Sequence, residues 1–383
     1  MSCPICQSDK STSLLSLDNF PIYQHPMSDT TTIPLPHNID LAFVICDNCG
    51  HGYQNQFDRN ILENIYEQYY YTPAPHSIGT ALRNEFIDFF DLCIEVGINK
   101  SILEIGCSSG DVLLTLRERL PLCRFKAVEP NKETADVARM NFFDVTSHFF
   151  TQTYAKSLNY KIDIIYSRHV IEHIFDFNDF FSAITSISHE NTRLVLETPS
   201  LDWSTEHGSV MPFHVEHVHI FSKRSLILLA QQFGWYENIS TVTLSGNLII
   251  NFIRKNNNLV LPSAPQNLSR IKIKNIELMN DIQNICKNKK VIFWGAGGGA
   301  ITLLSLSKII PTYIVDGNVN KTGKVFCGQD TPIGYAPIVI KELIQKDEDK
   351  KMVMIISSSF FTEITKELAT LGWRGTVYVP YQN

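Results

Sequence analysis

From about residue 100 onward the chain repeats one rhythm: a short apolar run, a break, then apolar and polar positions at helical spacing. Ser101-Ile-Leu-Glu-Ile105 is followed by a helical pattern to about Leu120, and Phe125-Lys-Ala-Val-Glu129 by one over 133–140. Ile162-Asp-Ile-Ile-Tyr166 precedes helix-like residues 168–187, and Thr192-Arg-Leu-Val-Leu-Glu197 gives a further strand. Runs this short and apolar suit strands covered on both faces, and strands alternating with helices predict βαβ units on a parallel sheet. A Pro- and Asn-rich stretch at 256–267 interrupts the pattern as a linker. The rhythm then resumes, with strands expected at 290–294, 312–315 and 351–356.

Residues 1 to about 72 do not share this rhythm. Pro4, Pro21, Pro26, Pro34 and Pro36 punctuate them, around strand-like runs such as Leu41-Ala-Phe-Val-Ile45. So irregular a module needs a staple. Helical spacing returns near Thr80. The pattern therefore divides into a small module (1–72), an α/β domain (73–255) and a second α/β domain (256–383).

Composition bounds the function. The 383 residues are 44% hydrophobic, enough to bury a core in each of two or three domains. A net charge of −6 argues against a protein held mainly by nucleic-acid phosphates. No apolar run is long enough for a membrane helix, and MSCPICQSDK has no apolar leader core, so the expected address is the cytoplasm. Nothing in the pattern fixes an oligomeric state. Four of the nine cysteines form two C-x-x-C pairs, Cys3/Cys6 and Cys46/Cys49, while Cys93, Cys107, Cys123, Cys286 and Cys327 are scattered singles. In a reducing compartment paired C-x-x-C motifs point to metal rather than disulfides. Two such knuckles supply the four thiolates of a closed, structural zinc site, with His51 as an alternative ligand.

Three further clusters carry chemistry. Leu103-Glu-Ile-Gly106-Cys107-Ser108-Ser-Gly110 follows a strand and opens a helix. Glu129 closes the next strand about 20 residues on, where an acidic side chain grips ribose hydroxyls in doubly wound folds. By itself this pattern also suits a dinucleotide. Ser167-Arg-His169-Val-Ile-Glu172-His173 puts His169 and His173 on one face if it is helical, and also fits an H-x-x-E-H string. Pro212-Phe-His214-Val-Glu216-His217-Val-His219 is the densest acid–base cluster of the chain. If extended, His217 and His219 share one side and His214 and Glu216 the other. Its imidazoles suit proton transfer, or could converge on a metal. Last, Trp294-Gly295-Ala-Gly297-Gly-Gly299-Ala300, with Asp316 ending the next strand, reads either as a loop for a phosphate or nucleotide portion of a substrate or as scaffold.

The glycine string resembles the first motif of class I S-adenosylmethionine (SAM) methyltransferases. The order of all the pieces resembles the three-part nucleotide-sugar C-methyltransferases of deoxysugar pathways. Leu17-Asp-Asn-Phe-Pro21, Ile45-Cys-Asp-Asn-Cys-Gly50, the Tyr69–Ser77 loop, Glu216-His217 with Phe221-Ser222, and Glu363-Ile364 add to that likeness. The resemblance implies a class I doubly wound sheet between an N-terminal four-cysteine zinc module and a C-terminal Rossmann-like domain. It implies SAM on Gly106, Cys107, Ser108 and Gly110, its ribose on Glu129, Asp144 or Phe149 near the adenine, and His169 alongside. It implies His217 as a base oriented by Glu216, His173 and Tyr71 near a keto oxygen or the sugar, and His214 where the family has tyrosine. Gly295, Gly297, Gly299 and Asp316 would meet the nucleotide sugar. Other readings remain: O- or N-methylation of a nucleotide sugar, a zinc-ribbon RNA methyltransferase, or a sensor without chemistry.

Overall fold

The structure is a computed structural model that describes residues 2–380 apart from 31–32, 34–35, 57, 69–78, 95–96, 98, 142, 256–260, 266–268 and 359. Strands β1 (Ser11–Pro21) and β2 (Asn38–Cys46) pair antiparallel, and β3 (Gly52–Gln54) extends their sheet. Leu15, Leu17, Leu41 and Phe43 are buried in one cluster beneath them. Helices α1 (Arg59–Gln68) and α2 (Thr80–Cys93) lead into the middle of the chain.

The expected alternation then appears: β4 (Ser101–Ile105), α3 (Asp111–Arg119), β5 (Arg124–Val128), α4 (Lys132–Met140), β6 (Asp144–Thr146), α5 (Gln152–Ser157), β7 (Ile162–Arg168), α6 (Phe177–Ser186) and β8 (Ser188–Pro199). After α7 (Leu201–His207), β9 (His219–Ile220) and α8 (Lys223–Gln232), the hairpin β10 (Tyr236–Val242) and β11 (Asn247–Ile253) completes the sheet. The strand order is β10-β11-β8-β7-β4-β5-β6, with β10 and β11 antiparallel to their neighbours. This is the class I doubly wound sheet. The order reverses between β4 and β7, and ligands of open α/β sheets sit outside the carboxyl ends of the strands at such a switch.

The last unit holds α9 (Ser269–Cys286), β12 (Lys290–Trp294), α10 (Gly298–Ser307), β13 (Tyr313–Asp316), β14 (Ile333–Tyr335), α11 (Ala336–Gln345), β15 (Met352–Ile356), α12 (Phe361–Leu371) and β16 (Thr376–Tyr378). Its five strands, ordered β14-β13-β12-β15-β16, are all parallel, a fuller Rossmann-like sheet than the three strands expected.

Two expectations fail locally. The helix expected across 168–187 begins only at Phe177, where the Asp176 side chain caps it by accepting from the Asp179 N–H. Before it, Arg168 still belongs to β7, His169 has a left-handed φ of 53°, and Ile171–His173 is a single 3₁₀ turn. His169 and His173 therefore do not share a helix face. Residues 214–217 are a turn rather than a strand; His217 N–H donates to the His214 carbonyl at 3.2 Å.

The units interlock. β9 pairs with β3, so a strand from the middle of the chain completes the N-terminal sheet. Cys3, Cys46, Cys49 and Tyr53 lie in the same apolar cluster as Leu103, Phe180 and Phe221. Met27 and Val325 exchange both main-chain hydrogen bonds, at 2.8 and 2.9 Å, and Glu363 accepts from the Ala81 N–H at 2.9 Å. Among the described residues no helix is long and apolar enough to cross a membrane.

Candidate active site and cysteine cluster

β4 hands the chain to the glycine loop at the switch point. Gly106 has a φ of 78°, and a Cβ there would run into Val170, so the position admits no side chain without strain. Glu129, 7% exposed, ties the two neighbouring loops together: one carboxylate oxygen accepts from the Ser108 N–H and the other from the Asn131 N–H, both at 2.8 Å. The Ser108 hydroxyl is buried and has no partner among the described residues. Cys107 is buried, and burial pushes its thiol far up, so it is a packing group and no nucleophile. A glycine loop that keeps side chains away, an orphan hydroxyl at Ser108 and an acidic residue at the end of the second strand fit SAM.

Two adenine expectations separate here. Phe149 follows β6 at the carboxyl edge of the sheet and is 61% exposed. Asp144 opens β6 at the opposite end and pairs with Lys126 at 2.6 Å, so it is remote from the cofactor edge.

The histidines gather on the other side of the switch point. Glu172 is fully buried; its Oε2 accepts from the Thr198 hydroxyl at 3.1 Å, while Oε1 lies 3.4 Å from His169 Nδ1 and 3.9 Å from His217 Nε2. Burial opposes its ionisation, yet His169 and His173 outweigh this and hold the carboxyl below its usual range. His169 lies between Glu172 and Glu197; burial resists its charge, but the two carboxylates raise its pKa. Donor atoms of Glu172, His173 and His217 all fall within 4.8 Å of one another, close enough to share a proton or a cation.

The main chain orients the rings. His217 Nδ1 meets the Pro212 carbonyl at 2.8 Å, and His173 Nδ1 meets the Glu216 carbonyl at 2.9 Å. The Pro212 carbonyl thus orients His217 through Nδ1. An Nδ1–H donated to a carbonyl leaves Nε2 of that ring as the basic nitrogen. His214 and His217 do not point apart: their ring centroids are 3.7 Å from each other. Burial, then the imidazoles of His214 and His173, push the His217 pKa well below 6.5, so the ring is neutral near pH 7. His219 leaves this group. It bonds His51 at 3.0 Å and the Ile174 carbonyl at 3.1 Å, and burial pushes its pKa down to about 3. Tyr71 lies outside the described residues.

The third unit repeats the loop geometry. Asp316 accepts from the Ala296 and Asn318 N–H groups, both at 2.7 Å, as Glu129 does from Ser108 and Asn131, and Lys321 adds a contact at 3.2 Å. Gly297 faces open space, and Gly295 has a φ of 115°. Gly299 does not face a ligand: Met211 packs where its side chain would be, and the Gln24 amide covers Gly298.

The four cysteines converge as expected. Cys3 and Cys49 sulfurs are 3.5 Å apart, Cys6 and Cys46 are 3.4 Å apart, and all four lie within 4.8 Å of one another with no disulfide. A zinc tetrahedron with arms of about 2.3 Å has edges of about 3.8 Å, so the sulfurs fit. Cys3 and Cys49 share a proton: the hydrogen bond from Cys49 lowers the Cys3 thiol and raises that of Cys49 in turn. His51 turns away to His219 and is not a fifth donor. Sequence reasoning missed Pro212 as the carbonyl that orients His217, and Gln54; neither a carbonyl partner nor a buried amide leaves a mark in residue type or spacing.

Comparison with known proteins agrees with this geometry. Residues 81–240 match a methyltransferase domain family, and residues 264–381 match a C-methyltransferase C-terminal domain family. Nothing among curated proteins matches the chain. Similar solved structures include a SAM-dependent methyltransferase from Archaeoglobus fulgidus, with 16% identity, 51% of this chain and 100% of that one covered, and a TM-score of 0.37. Another, from Clostridium acetobutylicum, has 10% identity, covers 46% of this chain and 100% of its own, and has a TM-score of 0.34. The glycopeptide N-methyltransferase MtfA, solved with SAM, has 10% identity over 45% of this chain and 94% of its own, with a TM-score of 0.36. With the two domain families side by side on one chain, the protein is a SAM-dependent methyltransferase with a C-methyltransferase C-terminal domain.

Proposed function

We propose that this enzyme methylates a carbon atom of a nucleoside-diphosphate-linked 4-keto sugar, with His217 as the base. The observation that carries the reading is the buried, neutral His217, whose Nδ1 is held by the Pro212 carbonyl beside the switch point of the SAM sheet. The C-methyltransferase C-terminal domain supports carbon as the acceptor.

SAM, when bound, supplies an electrophilic methyl on its sulfonium. His217 Nε2 takes the proton from the carbon beside the ketone, and the released electron pair moves onto the keto oxygen. His173, anchored through Nδ1 to the Glu216 carbonyl, would meet the developing oxyanion as an imidazolium, with its Nε2–H donating to the oxygen. The enolate carbon would then take the methyl as the carbon–sulfur electron pair returns to sulfur and leaves S-adenosylhomocysteine; the ketone would reform, and His217 would return its proton to solvent. His214, tilted against His217, occupies the place the related family gives to tyrosine, and Tyr71 would join from the segment before α2. Gly106, Cys107, Ser108, Gly110, Glu129 and His169 would surround the cofactor, with Phe149 at its adenine. Gly295, Gly297 and Asp316 would meet the nucleotide. Cys3, Cys6, Cys46 and Cys49 would hold a structural zinc ion. On this reading 1–72, 73–255 and 256–383 are the zinc, SAM and nucleotide-sugar units of a cytoplasmic enzyme.

The test incubates the enzyme with SAM and UDP- or dTDP-linked 4-keto-6-deoxyhexoses, with 4-hydroxy counterparts as controls, and locates the methyl by mass spectrometry and NMR. His217→Asn should lower turnover by about 10²–10⁴-fold, the usual contribution of a general base, while SAM affinity stays. With S-adenosylhomocysteine in D₂O, the wild type should exchange the carbon-bound proton of the ketone and His217→Asn should not. Wild-type exchange by His217→Asn removes the base assignment. Methyl on oxygen of the 4-hydroxy sugar replaces C- with O-methylation. Because the base must be neutral, kcat/KM should hold as pH falls below 6.5 and drop only at the depressed His217 pKa.

A further inference from the structure

β3 ends at Gln54, which is polar yet only 1% exposed. Its side-chain Nε2 lies 3.1 Å from the His214 carbonyl oxygen, 2.8 Å from that of Val215 and 3.0 Å from that of His217. Three converging acceptors identify this end of the amide as the nitrogen, since an oxygen would have no proton to offer. The Gln54 main-chain N–H adds a tie to the Val218 carbonyl at 3.1 Å. These carbonyls belong to the turn that sets the His214 ring against His217 and sends the Glu216 carbonyl to His173. Carbonyl dipoles aimed at one point repel one another unless a donor sits among them, and a buried carbonyl without a donor is costly. Val215 and Val218 are buried in the core of the N-terminal module, so the turn is pressed onto that module by its side chains and fastened by Gln54 through its backbone.

A second tie runs beside the first. His51, two residues before Tyr53, bonds His219, and His219 bonds the carbonyl of Ile174, the residue after His173. Both histidine-bearing segments of the site are thus anchored on one short stretch of the cysteine module.

We propose that Gln54 is a positioning residue for methyl transfer: its amide holds the His214–His217 turn in the conformation that aims His217 at the substrate. The cysteine module then belongs to the active site although it touches neither reacting atom. The inference rests on the His217 reading, and its test separates the two.

Gln54→Met keeps the length and removes the donor. With the turn released, water reaches His217, which in the wild type is enclosed by His214, His173, His169 and Glu172. The expected result is a kcat lower by about 100-fold, the scale of a roughly 1 Å displacement of a reacting group. SAM affinity and bound metal should stay at wild-type levels, and the NMR titration of ¹³C-labelled His217 should move up toward 6.5. The substrate is whichever 4-keto sugar nucleotide turns over above. Wild-type kcat with an unmoved His217 titration overturns the proposal. If Gln54→Met loses SAM binding, and so its fold, Gln54→Asn decides: it keeps an amide one methylene short and should show a smaller kcat loss with the same upward shift, whereas wild-type values for both overturn the proposal. A slow Gln54→Met beside an active His217→Asn removes the base reading and leaves the turn as the element Gln54 positions. An inactive His217→Asn beside a wild-type Gln54→Met removes only Gln54.

Discussion

Glu104 sits under the glycine loop, 3% exposed, and its carboxyl accepts from the Tyr166 hydroxyl at 2.9 Å. Burial dominates its environment and pushes its pKa up to about 8, from an ordinary 4.5. An acid that binds its proton more tightly in the folded state stabilises the fold below its unfolded pKa and loses that contribution as pH rises through the folded one. Stability should therefore decline between about pH 4.5 and 8, by a few kcal/mol, since each tenfold change in proton affinity is worth about 1.4 kcal/mol. Glu104→Gln should flatten that decline. Parallel urea-unfolding series across pH check this, and an equally steep decline in Glu104→Gln would show the idea to be wrong. His219 acts with the opposite sign. Its folded pKa near 3 lies below the ordinary 6.5, so its contribution is present above 6.5 and is lost as pH falls. The two groups oppose each other between about pH 4.5 and 6.5, the window where Glu104→Gln and wild type should begin to diverge.

At the scale of elements, the glycine loop and the 3₁₀ turn form one contact, because Gly106 faces Val170. Gly106→Ala forces a side chain into a left-handed conformation, at about 1–2 kcal/mol, and against Val170. It should destabilise the protein and weaken SAM binding. Adding Val170→Ala should recover the packing part of the stability loss but not the backbone part. Thermal melts and SAM titrations of the single and double variants check this, and wild-type SAM affinity in Gly106→Ala would count against the loop as the cofactor cradle. Elements such as β4, β7 and β12 are legible in the sequence because their apolar runs end abruptly at glycine or polar breaks. The pattern over 168–187 exaggerates the helix because Val170, Ile171 and Ile174 mimic helical spacing; the Asp176 cap and the left-handed His169 override it. The histidine run alternates like a strand, but Gln54 gathers its carbonyls into a turn. Neither β14 nor β16 spans more than 3 residues, too short for a period to show. The glycine loop, Glu129 and the four cysteines are legible because their chemistry lies in residue type and spacing, whereas Gln54 works through main-chain atoms that every residue shares.

Across the whole molecule, the cysteine module is joined to the catalytic unit on three counts. β9 completes its sheet, Gln54 fastens the histidine turn, and its cysteines share an apolar cluster with β4 and α6. The SAM loop meets the module only through the apolar base of β4 and β5, while Gly106, Ser108 and Glu129 are held by those strands and one another. On the proposed reading, in which Cys3, Cys6, Cys46 and Cys49 hold zinc, loss of the metal should divide the activities. A structural zinc contributes about 10–16 kcal/mol of apparent binding free energy in small modules, so its removal should loosen β1 to β3 and release the histidine turn with them. A stepwise chelator titration, following zinc released, SAM affinity and turnover together, should show turnover falling in proportion to the first equivalent of zinc while SAM affinity changes much less. Full turnover after that equivalent has left, or SAM affinity falling in step with turnover, would mean that the cysteine module does not govern the histidine turn. Readdition of zinc should restore turnover, which distinguishes a released turn from irreversible unfolding of the catalytic sheet.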